Sequence, residues 1–151
     1  MANKRADIVA AISTKLAAIA TTGGYLTNAG AKVTTWESKQ VQENDEFLDI
    51  RDLKSEFDQE YLAGATNQQR NLLTVEIHIV ATSKGTGAPA YIRQVISDVL
   101  KAIGTDDTLG KSYVTTTKAI SDDMEFQQDE RIAGSAVMTL QVDYVTTKWE
   151  N

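Results

Sequence analysis

Leu72-Leu73-Thr74-Val75-Glu76-Ile77-His78-Ile79-Val80-Ala81-Thr82 is the stretch whose reading decides the fold. Leu73, Val75, Ile77 and Ile79 alternate with Thr74, Glu76 and His78, the period of two expected of a strand buried on one face. Gly85-Thr86-Gly87-Ala88-Pro89 breaks the run, and Pro89 suits the first turn of a helix. Ile92, Val95, Ile96, Val99, Leu100 and Ile103 then form an apolar stripe of roughly 140°, opposite Arg93, Gln94, Ser97 and Lys101. Gly104 stands where a C-terminal glycine cap belongs. A half-buried strand followed by an amphipathic helix implies a sheet with a covered face.

Working towards the N-terminus, Ile8, Ile12, Leu16 and Ile19 recur at four- and three-residue spacing with Val9 beside them. This predicts a second amphipathic helix from residue 2 or 3 to 20, with Asn3 as N-cap and Gly23-Gly24 as its stop. Strands are expected at 32–37, around Val33 and Trp36, and at 46–53, around Phe47, Leu48 and Ile50. The polar region 54–69 reads as a long loop or flexible insert, with a short helical turn over 57–62. A loop of that length is usually functional or mobile.

Towards the C-terminus, residues 111–120 are rich in threonine and β-branched positions, which suits a strand. Residues 122–131 read as an acidic connector. In 132–147, Ala136, Met138, Leu140, Val142 and Tyr144 fall on one face, and Ser135, Thr139, Gln141 and Asp143 on the other. Two long strands around one polar connector predict an extended hairpin. At about 3.3 Å per residue, a strand of roughly 14 residues reaches ~45 Å, and its edges and face are offered to a neighbour. The expected fold is α+β in a single domain, order α-β-β-β-α-β-β: a mostly antiparallel sheet of about four to five strands, both helices on one face, and a long C-terminal hairpin.

Composition narrows the function. The 151 residues are 42% hydrophobic and 24% charged, an ordinary globular balance that argues against a disordered chain. No apolar run approaches a membrane span, and the alanine-rich N-terminal segment, interrupted by Asp7 and Lys15, lacks the h-region of a secretory signal. Without cysteine the chain has no disulfide, thiolate nucleophile or sulfur-ligated metal. Synthesis in a cytoplasm is expected. The net charge of −6 opposes nucleic-acid gripping, although DNA passing close by without being held is compatible with it. Between Glu37 and Glu60 nine carboxylates face only Lys39, Arg51 and Lys54; between Asp122 and Glu130 there are five and no base.

Three stretches come near a pattern that could carry chemistry. Gly104-Thr105-Asp106-Asp107-Thr108-Leu109-Gly110-Lys111-Ser112 approaches a P-loop. It has one residue too many between its glycines, follows a helix where a strand belongs, and carries two aspartates that repel phosphate. A helix cap and turn is the plainer reading. His78, the sole histidine, shares a strand face with Glu76, about 7 Å away by strand geometry, and reads as a surface or interface residue; catalysis needs more partners. The acidic segment Asp122-Asp123-Met124-Glu125-Phe126-Gln127-Gln128-Asp129-Glu130 lacks the glycine of a calcium loop. It reads as a solvated run or as a surface aimed at a partner or at passing DNA. Its Met124 and Phe126 are candidate interface anchors. Asp45, Glu46, Asp122, Asp123, Glu125, Asp129 and Glu130 are the candidate partner-facing or lumen-facing acids. No catalytic, cofactor-binding or metal-ligating residue is assigned.

In pattern and order the chain resembles the tail terminator (tail-completion) proteins of long-tailed bacteriophages. The carrying features are Arg5-x-x-Ile8-x-x-x-Ile12-x-x-x-Leu16-x-x-Ile19, Leu73-x-Val75-x-Ile77-x-Ile79, and Ile92-x-x-Val95-Ile96-x-x-Val99-Leu100-x-x-Ile103. Asp106-Asp107-Thr108-Leu109-Gly110 follows directly, and Leu140-x-Val142-x-Tyr144-x-Thr146 ends the series. The likeness covers most of the chain, apart from the acidic insert before Arg70. It implies a non-enzymatic virion protein that forms a ring, typically a hexamer, on the head-proximal end of the tail tube. The implied partners are its own copies, the tail tube protein and a neck or connector protein, with DNA passing through an acidic lumen and no membrane. A neck or head-closure subunit is the near alternative, and a small cytosolic ligand-binding or enzymatic α+β domain the distant one.

Overall fold

The computed structural model describes residues 3–38, 46–58, 68–82, 84, 87–128 and 132–147. Its elements are helix α1 (Lys4–Ala17), strands β1 (Val33–Thr35), β2 (Glu46–Asp58) and β3 (Gln68–Ala81), helix α2 (Ala88–Gly104), and strands β4 (Val114–Gln128) and β5 (Ile132–Thr147). The strands form one five-stranded sheet in the order β1-β2-β3-β5-β4. Every neighbouring pair is antiparallel except β1 with β2, which run parallel over three residues. The α+β class, the element order and the C-terminal hairpin are as the sequence predicts.

The order has a simple origin. Helix α2 crosses the sheet and returns the chain to the end where β3 began, so β4 runs parallel to β3. β5 then turns back and fills the gap between them, a split βαβ arrangement. Both helices lie on one face. Ile8, Ile12, Leu16 and Ile19 from the α1 region and Ile92, Val95, Val99 and Ile103 from α2 are buried there, against Ile50, Val75, Ile77, Met138, Leu140 and Val142. Asn3 caps α1, its Oδ1 accepting from the Ala6 N–H at 3.0 Å, which supplies an acceptor to a donor the helix leaves unpaired.

Close packing fixes two glycines. A Cβ on Gly30 would stand 2.4 Å from the Leu16 carbonyl oxygen, so only glycine lets this segment lie across the end of α1. A Cβ on Gly134 would fall 2.7 Å from Ile92 Cδ1 and 2.9 Å from a Phe126 ring carbon, so its absence admits α2 close to β5.

Several expectations need correction. Residues 54–58 are not loop: they continue β2, and Gln68 and Gln69 already belong to β3, with Glu56 opposite Leu72 and Asp58 opposite Arg70. Phe57 and Asp58 are therefore strand and not a helical turn; the remainder of that turn lies outside the described residues. The acidic connector begins later than expected, because 122–128 pair with β5 from Asp122 opposite Met138 to Gln128 opposite Ile132. In both places the strand borders the sheet, where charged side chains reach water and cost little. Finally, α1 stops at Ala17 and α2 includes Gly104, with Thr105 as its cap. Gly24 instead closes a short turn after α1 in a left-handed conformation, φ 85°. Leu100, counted in the α2 stripe, is exposed.

Candidate assembly surface

The side chains that alternate with the buried set form the second face of the sheet. On the central strands these are Arg70, Leu72, Thr74, Glu76, His78 and Val80 of β3 and Ser135, Val137, Thr139, Gln141, Asp143 and Val145 of β5. Nearly all are half-exposed. Arg70 grips Asp143 with two nitrogens, Nε at 3.0 and 2.9 Å from the two carboxylate oxygens and one terminal nitrogen at 2.6 Å. This paired geometry holds two charges in place on an otherwise mixed surface.

Nearer β1, Asp49 is fully buried on the same face. Its carboxylate accepts from Thr34 Oγ1 at 2.8 Å, the Glu37 N–H at 3.0 Å and Arg51 Nε at 2.8 Å. Burial alone raises its pKa, but the Arg51, Glu37 and Thr34 hydrogen bonds outweigh that and hold it below the ordinary value. Asp52, three residues further along β2, is treated likewise from the helix side. Burial raises it, and the Trp36 indole N–H (2.8 Å) and Arg5 Nε (2.6 Å) bring it down overall. The two aspartates lock β1, β2 and α1 together, and Asp52 holds the half-exposed ring of Trp36, whose backbone is left-handed at φ 50°.

The acidic candidates do not form one cluster. Glu46 opens β2 and pairs with Lys84 at 3.1 Å. Asp122, Asp123 and Glu125 are exposed on β4, which lies three strand spacings away, about 14 Å. Asp123 and Glu125 stand on the open face, opposite Val137 and Ser135, whereas Asp122 stands on the helix side, opposite Met138. All four occupy the same end of the sheet, because Glu46, Ala81, Gly134 and Phe126 fall on one row. Asp45, Asp129 and Glu130 lie outside the described residues. Met124 and Phe126 are half-buried and pack on the domain's own core, so only part of each is left to meet a neighbour.

The other chemical candidates assemble no site among the described residues. His78 Nε2 lies 3.6 Å from Glu76 and has no hydrogen-bond partner; its cross-strand neighbour Asp49 is engaged by Thr34, Glu37 and Arg51. In the P-loop-like segment the Asp106 carboxylate itself accepts from the Thr108 hydroxyl and N–H and from the Gly110 N–H. Those bonds lower its pKa, the Thr108 hydroxyl contributing most. A phosphate would need the same amides. Among the described residues no group of three or more His, Cys, Asp or Glu could hold a metal ion.

Several side chains that shape the surface escaped the sequence reading. Asp98 of α2 is buried, accepting from the Leu26 N–H at 2.9 Å and from the Thr27 N–H and Oγ1 at 2.8 and 2.7 Å. An acid set among Val95, Val99 and Ala102 was the available signal. Leu53, Phe57 and Ile120 are exposed apolar residues on strands that border the sheet; no spacing marks them. Among the described residues no helix is long and apolar enough to cross a membrane. No family model matches the chain, and no curated protein sequence matches it.

Proposed function

We propose that the chain is a structural ring subunit of a virion, of the tail-terminator kind, which closes the head-proximal end of a tail tube and joins it to the neck. The observation that carries this reading is the one-sided sheet. Its two central strands present a continuous half-exposed face that no helix among the described residues covers, and a hairpin of two long strands supplies one whole border. Such a layer has its core complete on one side and surface left for neighbours on the other. The acidic balance supports a role around passing DNA, which like charge keeps from sticking. The order of helices and strands supports the resemblance on which the tail assignment rests.

Incubating the purified chain with tail tubes and imaging them in negative stain tests the reading. Rings seated on one tube end are expected, and tubes of fixed length when the chain is present during polymerisation. Rings that bind only connector particles would move the assignment to a neck subunit. A chain that stays monomeric and leaves tubes bare would remove it.

A further inference from the structure

Two strand borders are open among the described residues. β1 accompanies β2 only from Leu48 to Ile50, so the outer side of β2 over 51–58 has no described strand beside it, and β4 is the last strand at the opposite border. Both carry large apolar side chains in solvent: Leu53 (45% exposed) and Phe57 (55%) on β2, and Ile120 (56%) on β4. Both are also kinked by an extra residue, Leu53 between Asp52 and Lys54 and Ile120 between Ala119 and Ser121.

The directions agree. β2 and β5 run one way and β3 and β4 the other. The β4 border of one copy therefore meets the β2 border of an identically oriented copy in antiparallel fashion. Each copy then offers one border and receives the other, a heterologous contact of the kind that closes a ring.

We propose that β4 of one copy pairs antiparallel with residues 51–58 of the next, continuing the sheet from subunit to subunit. With the two extra residues skipped, as the domain's own ladders skip them, Lys118 lies opposite Asp58 and Ala119 opposite Phe57. Ser121 then meets Glu56, Asp122 meets Ser55, Asp123 meets Lys54, Met124 meets Asp52, and Glu125 meets Arg51. Lys118, Ser121, Asp123 and Glu125 are on the open face of β4, and Asp58, Glu56, Lys54 and Arg51 on the open face of β2, so the two faces continue without a flip. Three opposite charges meet and no like charges do.

Neighbouring registers are worse. A slip of one residue reverses the faces. A slip of two places Asp122 against Asp52 in one direction and Asp123 against Glu56 in the other, and like charges directly opposite are destabilising. At the Ile50 end the border closes, since the Ile50 carbonyl oxygen already accepts from the Trp36 N–H at 3.1 Å and the Asp52 carbonyl oxygen from an Arg5 terminal nitrogen at 2.8 Å. Main-chain pairing therefore runs over 54–58, and Arg51 and Asp52 meet β4 through their side chains alone. This contact deepens the ring reading above and rests on it.

Charge reversal tests the register. Lys54→Asp and Asp123→Lys each place like charges across the contact, on exposed side chains whose loss leaves the core intact. Each alone is expected to raise the concentration needed for assembly roughly ten-fold or more. The double variant restores opposite charges at every contact and is expected to assemble as the original chain does. An equal mixture of the two single variants does so where they alternate, as throughout an even-numbered ring. Single variants that assemble normally, or a double variant that stays dispersed, overturn the pairing while leaving the ring standing. An original chain that never associates overturns both. Should a reversal disturb folding by circular dichroism, Lys54→Ala and Asp123→Ala in a double-mutant cycle replace it, and zero coupling between them overturns the proposal.

Discussion

The two faces of the sheet are written in alternate residues of the same strands, yet they do opposite work. On β3, Leu73, Val75, Ile77 and Ile79 are sealed beneath two helices, while Thr74, Glu76, His78 and Val80 between them remain half-exposed. The first set supplies stability through burial. The second adds little to it, and is therefore at liberty to carry charge pairs and contacts with other chains. The apolar residues of these strands are thus concentrated on one side of the sheet, and the other side is left half-exposed.

The largest break in that comparison comes from the covered face. Ile77→Ala is expected to cost about 2–5 kcal/mol in urea unfolding, since both the transfer of the side chain and the cavity left behind count against it. A loss below roughly 1 kcal/mol would mean that the face is less tightly sealed than its burial implies.

Next comes the layer that does the covering. Asp98→Ala removes the acceptor from two backbone N–H groups and one hydroxyl that pin the segment after α1 to α2. A loss of about 2–4 kcal/mol follows from leaving buried donors unpaired. Asp98→Asn keeps one carbonyl acceptor and is expected to lose less.

Asp52 sharpens the comparison by its pH dependence, because it is a charge on the helix side. Its folded pKa is below the unfolded value of about 3.9. Its contribution is thus complete above that value and disappears as pH falls through the folded pKa. The stability gap between the original chain and Asp52→Asn, measured by denaturation from pH 7 to pH 2, is expected to be constant above about pH 5 and to narrow below it. A gap that does not change with pH would contradict the role assigned to the Arg5 and Trp36 contacts.

The smallest effect belongs to the open face. Thr139→Ala, on the strand next to Ile77's neighbour Met138, is expected to change stability by no more than about 0.5 kcal/mol. A loss comparable to that of Ile77→Ala would erase the distinction between the faces.

The covered face was legible because periodicity records burial. β3, α2 and β5 could be read directly, the last with its boundaries intact, since each keeps one period over more than ten residues. The border strands could not. Residues 54–58 and 122–128 are charged because they border the sheet, and their strand identity comes from partners distant in sequence: β3 for one, β5 for the other. One trace was present, since Met124 and Phe126 stand two apart in an acidic run, as a strand with one covered side demands. They read as anchors for a partner, whereas the nearest apolar surface is their own core. Trp36 and Leu53 gave no warning. One depends on a left-handed turn and the other on an extra residue in a ladder, and neither leaves a pattern in a single chain.

The central claim is that this layer closes on copies of itself. Light scattering on the chromatographed chain over a hundred-fold range of concentration tests it most directly. One discrete species whose mass is a whole-number multiple of 16.5 kDa, unchanged across the upper part of the range and ring-shaped in negative stain, is the predicted result. A 16.5 kDa species at every concentration, or a mass that grows without limit, would contradict it.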